Sequence, residues 1–193
     1  MQSGYLPCIV TAFDVIGTKD LAASGAGSSQ MIEMHSKSVA KINNGLPLHS
    51  HGYVWNDSVL LLSYMTEPMW NKQEFFAELS EFKGFIEQQC ELSTYAISVQ
   101  GQAFPQDMVG SAVFNRQIGE QPRAVVLKTS SWAMANCFLI EKKLGHYHAD
   151  WYIDSRITKD ASLPAPVAST EIELLPEKHK RTIHMFKGFF HMN

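Results

Sequence analysis

A nearly unbroken apolar run near the start of the chain constrains the fold more than any other feature. Residues 6–13 read LPCIVTAF, and Asp14 follows as the first charged residue of the sequence. A short continuous apolar run is typical of a strand that is buried on both faces. The sequence therefore predicts a central strand that carries a carboxylate to the rim of a sheet.

The segment after this strand predicts two helical pieces and then a hairpin. Gly25 and Gly27 interrupt the helical pattern, and Ser28 or Ser29 is placed to cap the second piece. Two extended runs in residues 46–65 flank Asn56 and Asp57, a pair that favours a tight turn. These patterns predict a β-hairpin with its turn at Asp57.

The remaining elements follow from periodicity and capping signals. Asn71 is the predicted N-cap of a helix with one wide apolar face, formed by Phe75, Phe76, Leu79, Phe82 and Ile86. Residues 92–102 alternate with a period of two and predict a strand. We then predict a loop over 102–122, a short strand at 124–127, a helix over 132–144, a strand at 150–154 and a last hairpin from 170–175 and 182–186.

This order of elements defines the predicted fold class. A βααββαβ series of the ferredoxin-like α+β class folds most simply as an antiparallel sheet with helices packed on one face. The 193 residues are 45% hydrophobic, which suits one core, so we expect a single domain over residues 1–193.

Composition excludes several functional classes. The net charge is -3, from 16 basic and 19 acidic residues, so we expect neither a nucleic-acid partner nor an anionic membrane surface. No apolar stretch approaches the roughly 20 residues of a membrane span, so no membrane insertion is expected. The three cysteines lack CxxC spacing, which predicts reduced thiols in the core. The first residues lack a basic region, so no secretory signal is expected and a cytoplasmic location is predicted.

Two aspartates are candidates for a metal site. Asp14 ends the first predicted strand and Asp57 lies at the hairpin turn, so both reach the same rim of the sheet. Adjacent carboxylates repel unless a cation separates them, and Mg²⁺ or Mn²⁺ with substrate phosphates is the usual partner. The turn over residues 15–18 leads into a helix N-terminus, which offers N–H groups to a phosphate. The alternative is that Asp57 serves only the hairpin turn.

Short motifs around these aspartates resemble a known family. FDVIGTKDL resembles the F-x-D-I-x-G-F-T stretch of class III adenylate and guanylate cyclases, and YVWNDSVLLLS resembles their K-x-x-G-D-x-x-M hairpin. The similarity is greatest to the Pycsar pyrimidine nucleotide cyclases of bacterial anti-phage defence, with D-I-L-G-F-K and S-D-S-I motifs. YAISVQGQAFP and FLIEKKLGHYHADWYID resemble the fourth strand and the late helix and strand of that group.

The resemblance implies a class III cyclase core that acts on a nucleoside triphosphate. It implies a head-to-tail homodimer with active sites at the interface and two Mn²⁺ or Mg²⁺ ions per site. In this sequence the implied metal ligands are Asp14, Asp57 and the Val15 carbonyl. The implied substrate-binding residues are Ile16, Gly17, Thr18, Lys19 and Tyr53.

The residue at the base-reading position favours one substrate. Purine cyclases carry Lys or Glu four residues before the second metal aspartate, whereas this chain has Tyr53. The resemblance therefore points to UTP as substrate and cUMP as product, a second messenger for a cyclic-nucleotide-activated effector. Cytidylate or purine cyclase activity is the alternative, and Tyr53 as an ordinary strand aromatic remains open.

The late helix departs from the family pattern N-x-x-x-R-L-E. Aligning Glu141 with the motif puts Leu139 in place of the arginine and Asn136 one position away from the asparagine. Asn136, near the motif asparagine, and Lys187, which could supply the missing positive charge from this chain or a partner subunit, are the candidate catalytic residues beside the aspartates. Arg116, Lys142 and Lys143 are further sources of positive charge. The departure also leaves open a catalytically degenerate domain that binds nucleotide or dimerises for regulation.

Overall fold

The strands and helices follow one another in the predicted order. The computed structural model describes residues 6–23, 27–45, 51–55, 57–65, 70–103, 131–144, 148–176, 178–188 and 190. The strands are β1 (Leu6–Val15), β2 (His51–Trp55), β3 (Ser58–Tyr64), β4 (Thr94–Ala103), β5 (Trp151–Asp154), β6 (Ala168–Leu174) and β7 (His179–Phe186). The helices are α1 (Thr18–Ala23), α2 (Gly27–Asn43), α3 (Lys72–Cys90), α4 (Trp132–Leu144) and α5 (Ser155–Thr158). The predicted strand at 124–127 and the loop before it lie outside the described residues, apart from residues 102 and 103, which end β4.

The strands of the described part form one sheet in the order β2-β3-β1-β4-β5-β7-β6. The hairpin and β1 are adjacent as predicted, although β2 lies at the sheet edge. All pairs are antiparallel except β4 and β5, which run parallel. The expectation of a purely antiparallel sheet was therefore wrong at this pair. The chain passes from β4 to β5 through α4. Because a crossover through a helix returns the chain in the same direction, the two strands run parallel.

Helices cover both faces of the sheet, so the prediction of one covered face was wrong. Alternate β1 side chains enter two cores: Ile9 and Phe13 pack in the core that contains α2 and α3, whereas Val10 and Ala12 pack in the core that contains α4. A strand that is apolar on both faces needs cover on both. The continuous apolar run of β1 is the sequence signal for this arrangement.

The predicted cap and apolar face of α3 are confirmed. The side chain of Asn71 accepts a hydrogen bond from the Gln73 N–H at 2.8 Å. The five predicted apolar residues of the helix are buried. The Phe82 ring meets that of Phe13 edge to face, with centroids 5.1 Å apart, which fixes α3 against the centre of β1.

Helix α5 has four residues, too few for a periodic signal, and the sequence analysis did not predict it. The three cysteines are free and buried, as expected. No helix in the described part of the chain is long and apolar enough to cross a membrane.

Helix α4 lies unusually close to β4. A Cβ added to Gly101 would lie 2.8 Å from the Ala133 Cβ, closer than two carbon atoms can pack. The Cys137 thiol, one turn further along α4, lies 3.6 Å from the carbonyl oxygens of Val10 and Ile97. The position of α4 over the sheet therefore depends on the missing side chain of Gly101.

We predict that Gly101→Ala destabilises the protein by about 1–3 kcal/mol, because α4 must move away from β4 to admit the methyl group. Urea unfolding would measure the change in the free energy of unfolding. Gln102→Ala, an exposed change on the same strand, is the control and should stay within about 0.5 kcal/mol of wild type. Equal stability of Gly101→Ala and wild type would contradict the tight approach.

Candidate active site

The structure brings Asp14 and Asp57 to the same rim of the sheet. Asp14 pairs with Ser58 across β1 and β3, which places it beside the hairpin turn. The Val15 N–H donates a hydrogen bond to the Asp57 carbonyl oxygen at 3.2 Å and ties the turn to the end of β1. Both aspartates are partly exposed. The predicted proximity of the two carboxylates is therefore present in the fold.

Hydroxyl groups from both neighbouring strands hold the Asp14 carboxylate. Ser58 Oγ on β3 donates to Oδ1 at 2.6 Å, and the Tyr95 hydroxyl on β4 donates to Oδ2 at 2.6 Å. The Tyr95 ring packs edge to face on Tyr152, with centroids 5.9 Å apart, and this contact fixes the direction of its hydroxyl. The orientation of Asp14 is thus set before any ligand binds.

The rim carries an excess of negative charge. Burial raises the pKa of the Asp14 carboxyl above its ordinary value; the hydrogen bonds from Ser58 and Tyr95 oppose this shift, and the nearby Asp57 adds to it. Burial also raises the pKa of Glu141 on α4, and the Asp14 charge raises it further. Carboxyl groups that resist ionisation in this way gain from a nearby cation.

The donor set fits a hard divalent cation that is shared with a substrate. The Asp14 carboxylate accepts from Ser58, Tyr95 and the Val15 backbone and has about four lone-pair sites, so it keeps acceptor capacity for a cation. Carboxylate oxygens are ligands that Mg²⁺ prefers. Within the described residues, no three His, Cys, Asp or Glu side chains are grouped to hold a metal by themselves. A cation here would therefore need further oxygen ligands from backbone, water or phosphate.

The turn between β1 and α1 presents part of the predicted phosphate-binding surface. Gly17 adopts a φ of 81°, in the left-handed region, and its carbonyl accepts hydrogen bonds from the Asp20 and Leu21 N–H groups. The Ile16 N–H donates to the Ser93 carbonyl at 2.8 Å and is engaged within the fold. The N–H groups of Thr18 and Lys19 belong to the first helical turn, which lacks intrahelical acceptors, and Lys19 is exposed.

Tyr53 lies on the same face of the sheet as Asp14, two strands away. It pairs with Leu60, which in turn pairs with Ala12, so the side chain belongs to the α4 face. It packs against the core of that face and is partly buried. Two strand spacings separate it from β1, about 10 Å.

The other two predicted catalytic residues do not join this rim within one chain. Asn136 is buried, and its amide both donates to the Leu175 carbonyl and accepts from the Leu175 N–H at 2.9 Å. Lys187 follows β7, three strand spacings or about 15 Å from β1, and its ammonium donates to the His148 carbonyl. Lys142 and Lys143 are exposed at the end of α4, and Arg116 lies outside the described residues.

Sequence reasoning about the site missed Ser58, Tyr95 and Glu141. The period-two pattern put Tyr95 on one face of its strand with Ile97 and Val99, but only the β1–β4 register places it opposite Asp14. Ser58 follows Asp57 directly, and its contact with Asp14 depends on the register of β1 with β3. Glu141 served as a motif landmark, while its proximity to Asp14 depends on how α4 crosses the sheet.

Comparisons with known proteins place the fold. No protein family model matches the sequence, and no curated protein matches it. The solved structure of the guanylyl cyclase Cya2 is similar with a TM-score of 0.59 at 13% identity, over 98% of this chain and 95% of that one. The adenylyl cyclase CyaB from P. aeruginosa is similar with a TM-score of 0.57 at 10% identity, over 100% and 97%.

A third solved structure, a bacterial light-regulated adenylyl cyclase, has a TM-score of 0.60 at 8% identity and covers 96% of this chain and 53% of its own. The chain therefore has the fold of adenylyl and guanylyl cyclases. The predicted α+β fold class is confirmed, and the resemblance drawn from the motifs is confirmed at the level of the fold.

We predict that Asp14→Asn stabilises the metal-free protein at neutral pH. The unfolded chain ionises Asp14 near its ordinary value of 3.8, whereas the folded chain holds the proton to a higher pH. As the pH rises from the pKa of the unfolded chain to that of the folded chain, the wild type loses stability. The variant has no carboxyl group at this position and does not lose stability in this way. Melting temperatures of both proteins in EDTA should nearly coincide near pH 3.8 and diverge as the pH rises.

Glu171→Gln, an exposed carboxyl on β6, is the matched control and should follow the wild-type curve. A difference between Asp14→Asn and wild type that is constant with pH would show that burial does not raise the pKa of Asp14.

Proposed function

We propose that this protein is a nucleotide cyclase that converts a nucleoside triphosphate, UTP by preference, to a 3′,5′-cyclic mononucleotide and pyrophosphate. The observation that carries the proposal is the convergence of Asp14 and Asp57 at one rim through the Val15–Asp57 hydrogen bond. The fold, shared with adenylyl and guanylyl cyclases, supports the same reaction class.

The residues of the rim would bind and orient the reactants. Asp14, Asp57 and the Val15 carbonyl would hold two Mn²⁺ or Mg²⁺ ions, and Ser58 and Tyr95 would keep Asp14 in position. Bound divalent cations make the ribose 3′-hydroxyl more acidic and neutralise phosphate charge. The N–H groups of Thr18 and Lys19 would contact the phosphates. The 3′-oxygen bonds to the α-phosphorus, the bond to pyrophosphate breaks and the hydroxyl proton is released.

The proposed preference for UTP rests on Tyr53. Its ring lies on the face of the sheet that carries Asp14, and an aromatic side chain at the base-reading position would favour a small pyrimidine ring over a purine. The cyclic product would serve as a second messenger that activates a downstream effector, in keeping with the resemblance to the anti-phage cyclases.

We infer that a second chain completes the proposed site. Lys187 lies three strand spacings, about 15 Å, from β1, and its ammonium donates to the His148 carbonyl of its own chain. A head-to-tail homodimer would place Lys187 and the α4 surface of one protomer opposite the aspartates of the other.

One observation favours a second candidate function. Leu139 occupies the motif position of the transition-state arginine and packs partly buried against the α4 core. A domain without that charge could bind nucleotide and dimerise without turnover. Measurement of product separates this candidate from the enzyme.

We predict that the protein forms a cyclic nucleotide from UTP in the presence of Mn²⁺, faster than from CTP, ATP or GTP. Asp14→Asn and Asp57→Asn should each lower the rate at least about a hundredfold, since a metal ligand contributes several kcal/mol to stabilising the transition state. Incubation with each triphosphate and mass analysis of the products would measure this.

Glu171→Gln is the control and should retain the wild-type rate. Metal-dependent UTP binding without product would favour the regulatory candidate. A rate equal in wild type and Asp14→Asn would remove the aspartates from the mechanism.

We also predict that Tyr95→Phe and Ser58→Ala each weaken Mn²⁺ binding about 10- to 100-fold, because groups that orient a metal ligand affect affinity by that much. Electron paramagnetic resonance of free Mn²⁺ would give the affinity independently of turnover. Tyr152→Phe is the matched control, since its hydroxyl contacts the Ala149 N–H and not a carboxylate. Unchanged affinity in both test variants would show that Asp14 does not need these donors.

A further inference from the structure

A polar cavity lies at the end of the sheet opposite the carboxylate rim. Its volume is about 480 Å³, within the range of small-molecule sites. Its walls come from the beginning of β1, the end of β4, the first turn of α4 and the connection between β6 and β7. The charged residues among the described lining are Arg156 and Arg181, and no described acidic side chain lines it.

Both arginines contact one buried carboxylate. Asp154 is fully buried, and its Oδ2 accepts from Nη2 of Arg156 and from Nη1 of Arg181, each at 3.1 Å. Both guanidinium groups also donate to the Gln100 carbonyl. One arginine neutralises Asp154, so the second leaves a net positive charge at the cavity wall.

The arginines retain donors for a ligand. Among the described residues, Nη1 of Arg156 and Nη2 of Arg181 have no hydrogen-bond acceptor. The side chains remain reachable, with 40% of Arg156 and 21% of Arg181 exposed. Asp154 fixes the positions of both guanidinium groups. Their remaining N–H groups are therefore preorganised to bind a planar or tetrahedral oxyanion.

The rest of the wall is also preorganised. The Asn136 amide holds the Leu175 backbone with two hydrogen bonds, which fixes the β6–β7 connection against α4. Trp132 lines the cavity from the first turn of α4 and remains half exposed. An indole in that position offers a flat surface for a ring.

We propose that this cavity binds a small organic anion in which a phosphate or carboxylate contacts Arg156 and Arg181 and a flat ring packs on Trp132. The site is separate from the carboxylate rim. Gly101 pairs with Cys8 on β1, six residues before Asp14, a separation of about 20 Å along the strand. The proposal therefore does not rest on cyclase activity.

Calorimetric titration of the full chain in EDTA tests the proposal with three probes. Phenyl phosphate carries both features, inorganic phosphate carries only the anion and phenol carries only the ring. We expect phenyl phosphate to bind more tightly than phosphate, and phenol to give no measurable binding.

Variants assign the contacts. Arg156→Gln leaves the Arg181–Asp154 pair intact and should weaken phenyl phosphate about tenfold or more, the effect of losing a charge-assisted hydrogen bond. Trp132→Ala should weaken phenyl phosphate and leave inorganic phosphate unchanged. Asp14→Asn, at the opposite rim, is the control and should bind like wild type. Should Arg156→Gln not fold, the exposed Trp132 variant carries the test.

Three results would overturn the proposal. One is the absence of phenyl phosphate binding to wild type. Another is equal binding by wild type, Arg156→Gln and Trp132→Ala. The last is tighter binding by Asp14→Asn than by wild type, which would place the anion at the negatively charged carboxylate rim. A failure to detect cyclic nucleotide from any triphosphate would leave these outcomes unaffected.

Discussion

Strand β1 is paired on both edges and covered on both faces, and the arrangement of the rest of the molecule depends on this. Its pairing with β3 sets the hairpin beside Asp14, and its pairing with β4 sets Tyr95 on the other side. Because side chains alternate along a strand, a register shift of one residue would turn Asp14 into the core of α2 and α3. The apolar contacts of Ile9 and Phe13 on one face and Val10 on the other prevent such a shift.

The pairing of β1 with β3 and β4 brings like charges together at the carboxylate rim, which lowers the stability of the fold. The Asp57 charge raises the pKa of Asp14, and the charges of Asp14 and Asp57 raise the pKa of Glu141. Hydroxyl donors from two strands relieve part of this cost without supplying positive charge. A cluster of carboxyl groups with raised pKa values lowers the stability of the folded protein, and such clusters are common at functional sites.

The sequence predicted what local patterns determine. The apolar run of β1, the turn at Asp57 and the cap at Asn71 each depend on neighbouring residues, and each is present. Contacts between residues far apart in the sequence could not be predicted from local patterns. The parallel β4–β5 pair depends on where α4 crosses the sheet, and a helix pattern does not contain that information. The contact of Tyr95 with Asp14 joins residues 81 positions apart and required the strand register.

The close approach of α4 to β4 has a consequence for how this chain can vary. The helix begins at the arginine-lined cavity with Trp132 and ends near the carboxylates with Glu141, so it forms one wall of each. Gly101 and Ala133 set its height above the sheet. Larger residues at either position would displace both walls together. A related chain with a larger residue at either position would therefore have a different shape at both the arginine-lined cavity and the carboxylate rim.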